Sequence, residues 1–362
     1  MGQHRYWLAL SLIKGLGPVT IKQVVTAFGE AKAVFSQRAD QIIAVAGITQ
    51  SRAQLIASFK DWQLVDNTIE AVQKAGAALV TFNDPDYPEE LKQLYDPPSV
   101  LFVKGELLSN DKFAVSIVGS RTCTEYGRNV TQKMTASLCA KGFTIVSGMA
   151  RGIDTVAHSS ALKAGGRTFA VLGSGIDVPY PSENMPLFHK IPDSGAVISE
   201  FPPGTRPIRE NFPKRNRLIS ALSLGTLVIE ASDKSGALIT ARCAVDQGKE
   251  VFAIPGNINW LTSKGTHDLI KKGAKLVDNP DDIVEELAPL LKGFLREARI
   301  RQLPPLNEEE QAVLKTCDRE PIHIDDIIRQ TSMPPSRVMS VLLALELKGL
   351  IRQWEGKKFS GA

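Results

Sequence analysis

The chain has 362 residues, 43% of them apolar and 23% charged, which is more than one domain usually holds and ordinary for a protein with real cores. Its net charge is only +4, so a polyanion site has to come from local clustering and not from the overall balance. Cys123, Cys139, Cys243 and Cys317 lie far apart without a CxxC pair, which argues against a zinc ribbon or a disulfide framework. The first apolar stretch is too short for a secretory leader and no run approaches the roughly 20 apolar residues of a membrane span, so the expectation is a soluble, cytoplasmic protein.

Residues 1–76 are helical in pattern and hold a weak internal repeat. LIKGLGPVTIKQVVTAF (12–28) reads as helix, glycine turn, helix, with Ile21, Val24, Val25 and Phe28 on one face. IIAVAGITQSRAQLIASF (42–59) repeats the plan, with Gly47 at the place of Gly15 and Thr49 at the place of Gly17. The pair resembles helix-hairpin-helix units, whose turn amides can meet a DNA phosphate, and an αα-hairpin that only packs fits equally well.

From 77 to 292 strands alternate with helices. AALVTF, FAVSIVGS, FTIVSGM, TFAVLGSG, AVISEF, GTLVIEA and EVFAIPG are continuous apolar runs, as parallel strands buried on both faces require. The fold class is therefore α/β, a doubly wound Rossmann-like parallel sheet, with its ligand expected beyond the C-terminal strand ends. Residues 293–306 hold charges and Pro304-Pro305 and read as a linker. In 307–362, helices at Glu308–Cys317, His323–Gln330 and Pro335–Lys348 precede a hairpin with Gly356 at its turn, a winged-helix order.

Common catalytic motifs are missing. Arg121 stands where GxGxxG would place its second glycine, and there is no GxxxxGK[ST], HExxH or GxSxG, so the reading is no cofactor, no metal and no catalytic residue. Asp154 and His158 share a helix face as i, i+4, which allows proton transfer but equally a helix cap with a packed histidine. The strongest signal is RPIRENFPKRNRLISAL (206–222), where Arg206, Arg209, Lys214, Arg215 and Arg217 crowd a helix N-terminus with one acid, Glu210. Cations there oppose the helix dipole unless an anion docks against them. Phe212 and Tyr126 offer faces for base stacking, or belong to the core.

GSRTCTEYG, VSGMARGIDTVAHSSAL, LGSGIDVPYP, FPKRNRLISALS, VIEASDKSGALITARCAVDQGKEVFAIPG and SKGTHDLIKKGAKLV, in this order and spacing, resemble the DNA processing protein A family (DprA, also called Smf). The resemblance implies a core that binds single-stranded DNA, forms a homodimer and loads the RecA recombinase during natural transformation, without catalysis. It implies nucleic-acid contacts from Gly119, Ser120, Arg121, Ser147, Gly148, Arg151, Gly152, Phe212, Lys214, Arg215, Asn216 and Arg217, and a dimer interface at His267, Leu269 and Ile270. NINWLTSKG departs from the family's wording after PGN. Two alternatives stay open. One is a nucleoside monophosphate phosphoribohydrolase-like enzyme, for which Gly225, Thr226 and Glu230 are retained but the leading PGG is absent. The other is a winged-helix transcription regulator with a ligand-sensing core.

Overall fold

A computed structural model describes residues 2–45, 47–291, 306–317, 321–347, 350–354 and 356–361. The chain divides into two compact units, Met1–Leu291 and Lys292–Ala362.

The first unit opens with six helices: α1 (Gly2–Leu12), α2 (Pro18–Phe28), α3 (Ala31–Val34), α4 (Ala39–Ile43), α5 (Gln50–Ala57) and α6 (Trp62–Lys74). Gly15 and Gly47 both turn with positive φ, 87° and 83°, and the next helix starts at Gly17 in one copy and Thr49 in the other. Thr49 accepts a hydrogen bond from the Arg52 amide at 3.4 Å, so its own side chain serves the helix end that Gly17 leaves bare. These helices do not keep a core of their own. Trp7, Leu10, Ile21, Val25, Ile56 and Val72 form one buried cluster with Phe102, Leu172 and Val197 of the sheet that follows.

That sheet has nine strands in the order β1-β2-β6-β5-β4-β3-β7-β8-β9. They are β1 (Ala78–Thr81), β2 (Val100–Gly105), β3 (Ala114–Val118), β4 (Thr144–Ser147), β5 (Thr168–Val171), β6 (Gly195–Ser199), β7 (Gly225–Val228), β8 (Glu250–Ala253) and β9 (Lys275–Leu276). Seven run parallel, from β6 through β9, whereas β1 pairs antiparallel with β2 and β2 antiparallel with β6, Phe102 opposite Ser199. The expected doubly wound, mostly parallel sheet is present; the AALVTF run forms β1, which is antiparallel and not parallel, and β2 and β9 are strands the apolar runs did not single out. Helices α7 (Glu89–Lys92), α8 (Glu125–Ala140), α9 (Ile153–Lys163), α10 (Met185–Lys190), α11 (Asn211–Ala221), α12 (Ala237–Asp246), α13 (Lys264–Lys271) and α14 (Asp281–Leu287) lie between or after the strands. From β3 the chain winds to β4, β5 and β6 on one side, then crosses to β7 on the other. A crevice therefore opens at the C-terminal ends of β3 and β7, where ligands of such folds bind.

The second unit contains α15 (Glu308–Thr316), β10 (Ile322–His323), α16 (Ile324–Thr331), α17 (Pro335–Leu347), β11 (Ile351–Trp354) and β12 (Lys358–Gly361). Asn307 and Glu310 exchange amide-to-side-chain bonds of 2.8 and 3.1 Å, which starts α15 as a capping box. β12 lies between β10 and β11, and Gly356 turns the hairpin at φ 78°. Val313, Ile327, Val338, Leu342, Leu345 and Phe359 fill this unit's core. No helix among the described residues is long and apolar enough to cross a membrane.

Candidate nucleic-acid interface

Two loops shape the crevice, and each is fixed by close packing. After β3, a Cβ on Gly119 would lie 2.6 Å from Ile153 Cγ1, so only glycine lets the loop rest on the first turn of α9. The amide of Ile153 donates to Ser120 O at 3.1 Å, and Gly152, at φ 73°, faces the same carbonyl so closely that a Cβ would sit 2.2 Å away. After β7, Glu230 is 2% exposed, and its carboxylate accepts from the Thr124 amide at 3.0 Å and from the Thr124 hydroxyl at 2.5 Å. The acid thereby holds the N-terminus of α8, where a negative charge is favoured by the dipole.

Between the loops lies a cavity of about 660 Å³, lined by Arg121, Arg209, Phe212, Arg215, Ser232 and Lys234, among others. The cations differ in depth. Arg215 is 4% exposed; its guanidinium donates to Gly148 O at 2.6 Å, to Val171 O, and to Asn216 Oδ1 at 3.2 Å. Burial lowers its pKa to about 10, opposed by the charge of Asp154. Asp154 is itself raised to about 6 by burial, with Arg215 pulling the other way. Its carboxylate accepts from the Gly148 and Ala150 amides at 3.1 and 3.2 Å. It thus braces the loop after β4, while the capping position of α9 belongs to Gly152. His158 is fully buried, with Nδ1 2.7 Å from the Thr168 hydroxyl. The Asp154–His158 pair is architecture.

The other residues expected to meet phosphate already have partners within the protein. Arg215 and Asn216 are buried braces, because Arg215 falls on the inward stripe of α11 with Leu218, Ile219 and Leu222. Ser147 is fully buried and donates its hydroxyl to Ile117 O at 2.6 Å. Gly148 is buried where a Cβ would meet the Arg215 guanidinium at 2.8 Å. Arg217 turns toward a different cavity and pairs with Glu200 and, at 3.4 Å, with Asp96. Arg151 is exposed and pairs with Glu183 at 2.5 Å.

What stays open to solvent is smaller and clearer. Arg121 is exposed and makes no ion pair among the described residues, since Glu125 pairs with Arg128 at 3.5 Å. Its guanidinium lies 5.6 Å from the centre of the half-buried Phe212 ring, and Arg215 lies 5.8 Å from the same ring. Arg206, Arg209, Lys214 and Lys234 are likewise exposed without an ion pair among the described residues. Lys234 was not singled out from sequence. The signal that marks it is position, a polar turn directly after the β7 strand.

The expected dimer residues sit on α13. Leu269 is half-buried and packs on the core of its own unit, which corrects the idea that it lacks partners in its own layer. Ile270 is half-buried, and the His267 ring lies 3.1 Å from Gly256 O, steadying the loop after β8.

The family model for DNA recombination-mediator protein A matches residues 78–288, and that of the DprA winged helix domain matches 297–357. The chain is 34% identical over 391 residues to Protein Smf of Synechocystis sp., covering 99% of this chain and 98% of that one. It is 43% identical over 221 residues to DNA processing protein DprA of Bacillus subtilis, covering 60% of this chain and 74% of the relative. Among solved structures, DprA from Streptococcus pneumoniae matches with a TM-score of 0.67 at 37% identity, covering 78% of this chain and 96% of that one. DNA processing protein A from Helicobacter pylori, solved for its single-stranded DNA binding mode, matches with 0.53 at 30% identity, over 59% and 98%. With a matching core, a matching wing and relatives aligned nearly end to end, this protein belongs to the DNA recombination-mediator protein A family, DprA or Smf.

Proposed function

We propose that this protein binds single-stranded DNA in the crevice between β3 and β7 and delivers it to the RecA recombinase in natural transformation. The carrying observation is the set of exposed, ion-pair-free cations Arg121, Arg209 and Lys234 around one cavity beside the Phe212 ring. A basic groove with an aromatic face holds single strands without reading sequence. The family's description as a recombination mediator and the single-strand binding of the Helicobacter pylori relative support the same reading.

The reading includes a cytoplasmic homodimer and no catalytic step. Glu230, the carboxylate a phosphoribohydrolase-like reaction would use, is consumed in holding α8, which supports binding over hydrolysis. Ile270, with the 45% exposed Leu276 of the edge strand, supports a self-interface at that end of the sheet.

The test is Arg121→Ala, measured by fluorescence anisotropy on a short oligonucleotide. A lost hydrogen bond to a charged group costs about 1.5–3 kcal/mol, so affinity should fall roughly 10- to 150-fold while circular dichroism stays unchanged. A folded variant that binds like wild type would remove this loop from the interface.

A further inference from the structure

We propose that Tyr126 and Trp260 form a nucleobase-stacking platform that carries the single strand onward from the cation crevice. The proposal rests on the single-strand reading above and adds a second part to the site.

The loop after β8 exposes apolar side chains at its tip: Ile258 is 81%, Trp260 42% and Leu261 67% exposed, with Tyr126 of α8 beside them at 38%. The backbone beneath is fixed. Trp260 N donates to Asn257 O at 3.0 Å, Ser263 N to Trp260 O at 3.1 Å, and the Tyr126 hydroxyl to Pro255 O at 2.7 Å. Tyr126 and Trp260 meet with centroids 6.0 Å apart at 65°. Edge-to-face packing holds two rings in place without stacking them on each other, so ring faces remain for bases from outside.

Both walls of the platform continue the walls of the crevice. Tyr126 lies five residues beyond Arg121, in the first turn of the helix that the Arg121 loop enters. On the other side, Ala231 N donates to Thr262 O at 2.7 Å and Gly265 N to Ala231 O at 2.8 Å, immediately before Ser232 and Lys234 of the crevice. The occupant follows from charge. Residues 254–267 contain no Asp or Glu and one exposed cation, Lys264, with the exposed amides of Asn257 and Asn259 between the apolar tips. A loop tip without acids, carrying an aromatic ring, a cation and amide groups, fits bases on a phosphate chain, and the exposed Glu125 beside Tyr126 is paired with Arg128 at 3.5 Å.

The experiment uses full-length protein, labelled oligothymidylates of increasing length and an abasic chain of equal length. Stacking contributes roughly a 5- to 150-fold gain in affinity per base, so Tyr126→Ala with Trp260→Ala should weaken long oligothymidylates by at least the lower figure. Short oligomers that fill only the crevice, and the abasic chain, should bind nearly as before, and Trp260→Phe should retain most of the long-chain affinity. If the double variant binds long chains like wild type while Arg121→Ala does not, the platform is wrong and the crevice stands. If Arg121→Ala also binds like wild type, the single-strand site itself is misplaced. A double variant that turns from dimer to monomer in sedimentation, with unchanged binding, makes this face a copy-to-copy interface and overturns the proposal.

Discussion

Lys214 and Arg215 are neighbours in sequence and opposites in role. Successive residues of a helix point about 100° apart, so one cation faces water and the next faces the core. The 3.6-residue stripe Arg215, Leu218, Ile219, Leu222 is present in the sequence, but the density of charge around it masks the period. Arg215→Ala leaves Asp154 buried without its counter-charge and two strand-end carbonyls without a donor. Each buried acceptor left without its donor costs about 1–3 kcal/mol, so thermal unfolding should show a large loss, whereas Arg121→Ala should leave the midpoint unchanged. A second residue-scale prediction concerns acid. Burial and the nearby Arg215 charge hold His158 down to about 3, well below its ordinary value of 6.5. Between those values the unfolded chain takes the proton and the folded one does not, so the stabilisation is present above pH 6.5 and lost as pH falls. Wild type should therefore lose stability relative to His158→Gln by up to about 1.4 kcal/mol per pH unit on acidification from pH 6.5, read by urea titration. Parallel pH curves for the two proteins would show that the ring already binds its proton in the fold.

At the level of elements, the six parallel strands β3 to β8 were legible because parallel strands covered on both faces read as unbroken apolar runs, and β1 was legible as such a run although it is an antiparallel edge strand. Strand β2, VLFVKG, follows directly on Pro97-Pro98 and was not among the runs singled out, and nothing in an apolar run states its direction. Strand β9 is two residues long, below what a run can signal. The proposed self-interface starts from α13. The α13 helix was identified, but which of its apolar residues faces home depends on the β9 edge that the sequence hid. Leu269 is half-buried against the core, so Leu269→Glu should destabilise the first unit and says little about association. Ile270→Glu with Leu276→Glu places both charges at the sheet edge and should give a folded monomer in sedimentation velocity. A folded double variant that still runs as a dimer moves the interface elsewhere.

At the scale of the whole molecule, charge separates the working surface from the rest. The wing, residues 307–362, holds eight Lys and Arg against nine Asp and Glu, and Arg337 of α17 pairs with Glu309 at 2.7 Å. The helix that would enter a groove in a DNA-reading winged helix instead exposes Met339 and Leu343, at 62% and 58%. Salt dependence should therefore come from the crevice. Each phosphate neutralised on a single strand contributes about −0.7 to the slope of log affinity against log salt. Three phosphates, met by Arg121, Arg209 and Lys234, give about −2, and adding Arg206 and Lys214 gives about −3.5. Between 50 and 200 mM salt that is a loss of roughly 20- to 130-fold. Arg121→Ala should flatten the slope by about 0.7, whereas Arg337→Ala should leave it unchanged. A steeper slope than five cations can supply, reduced by Arg337→Ala, would bring the wing onto the DNA.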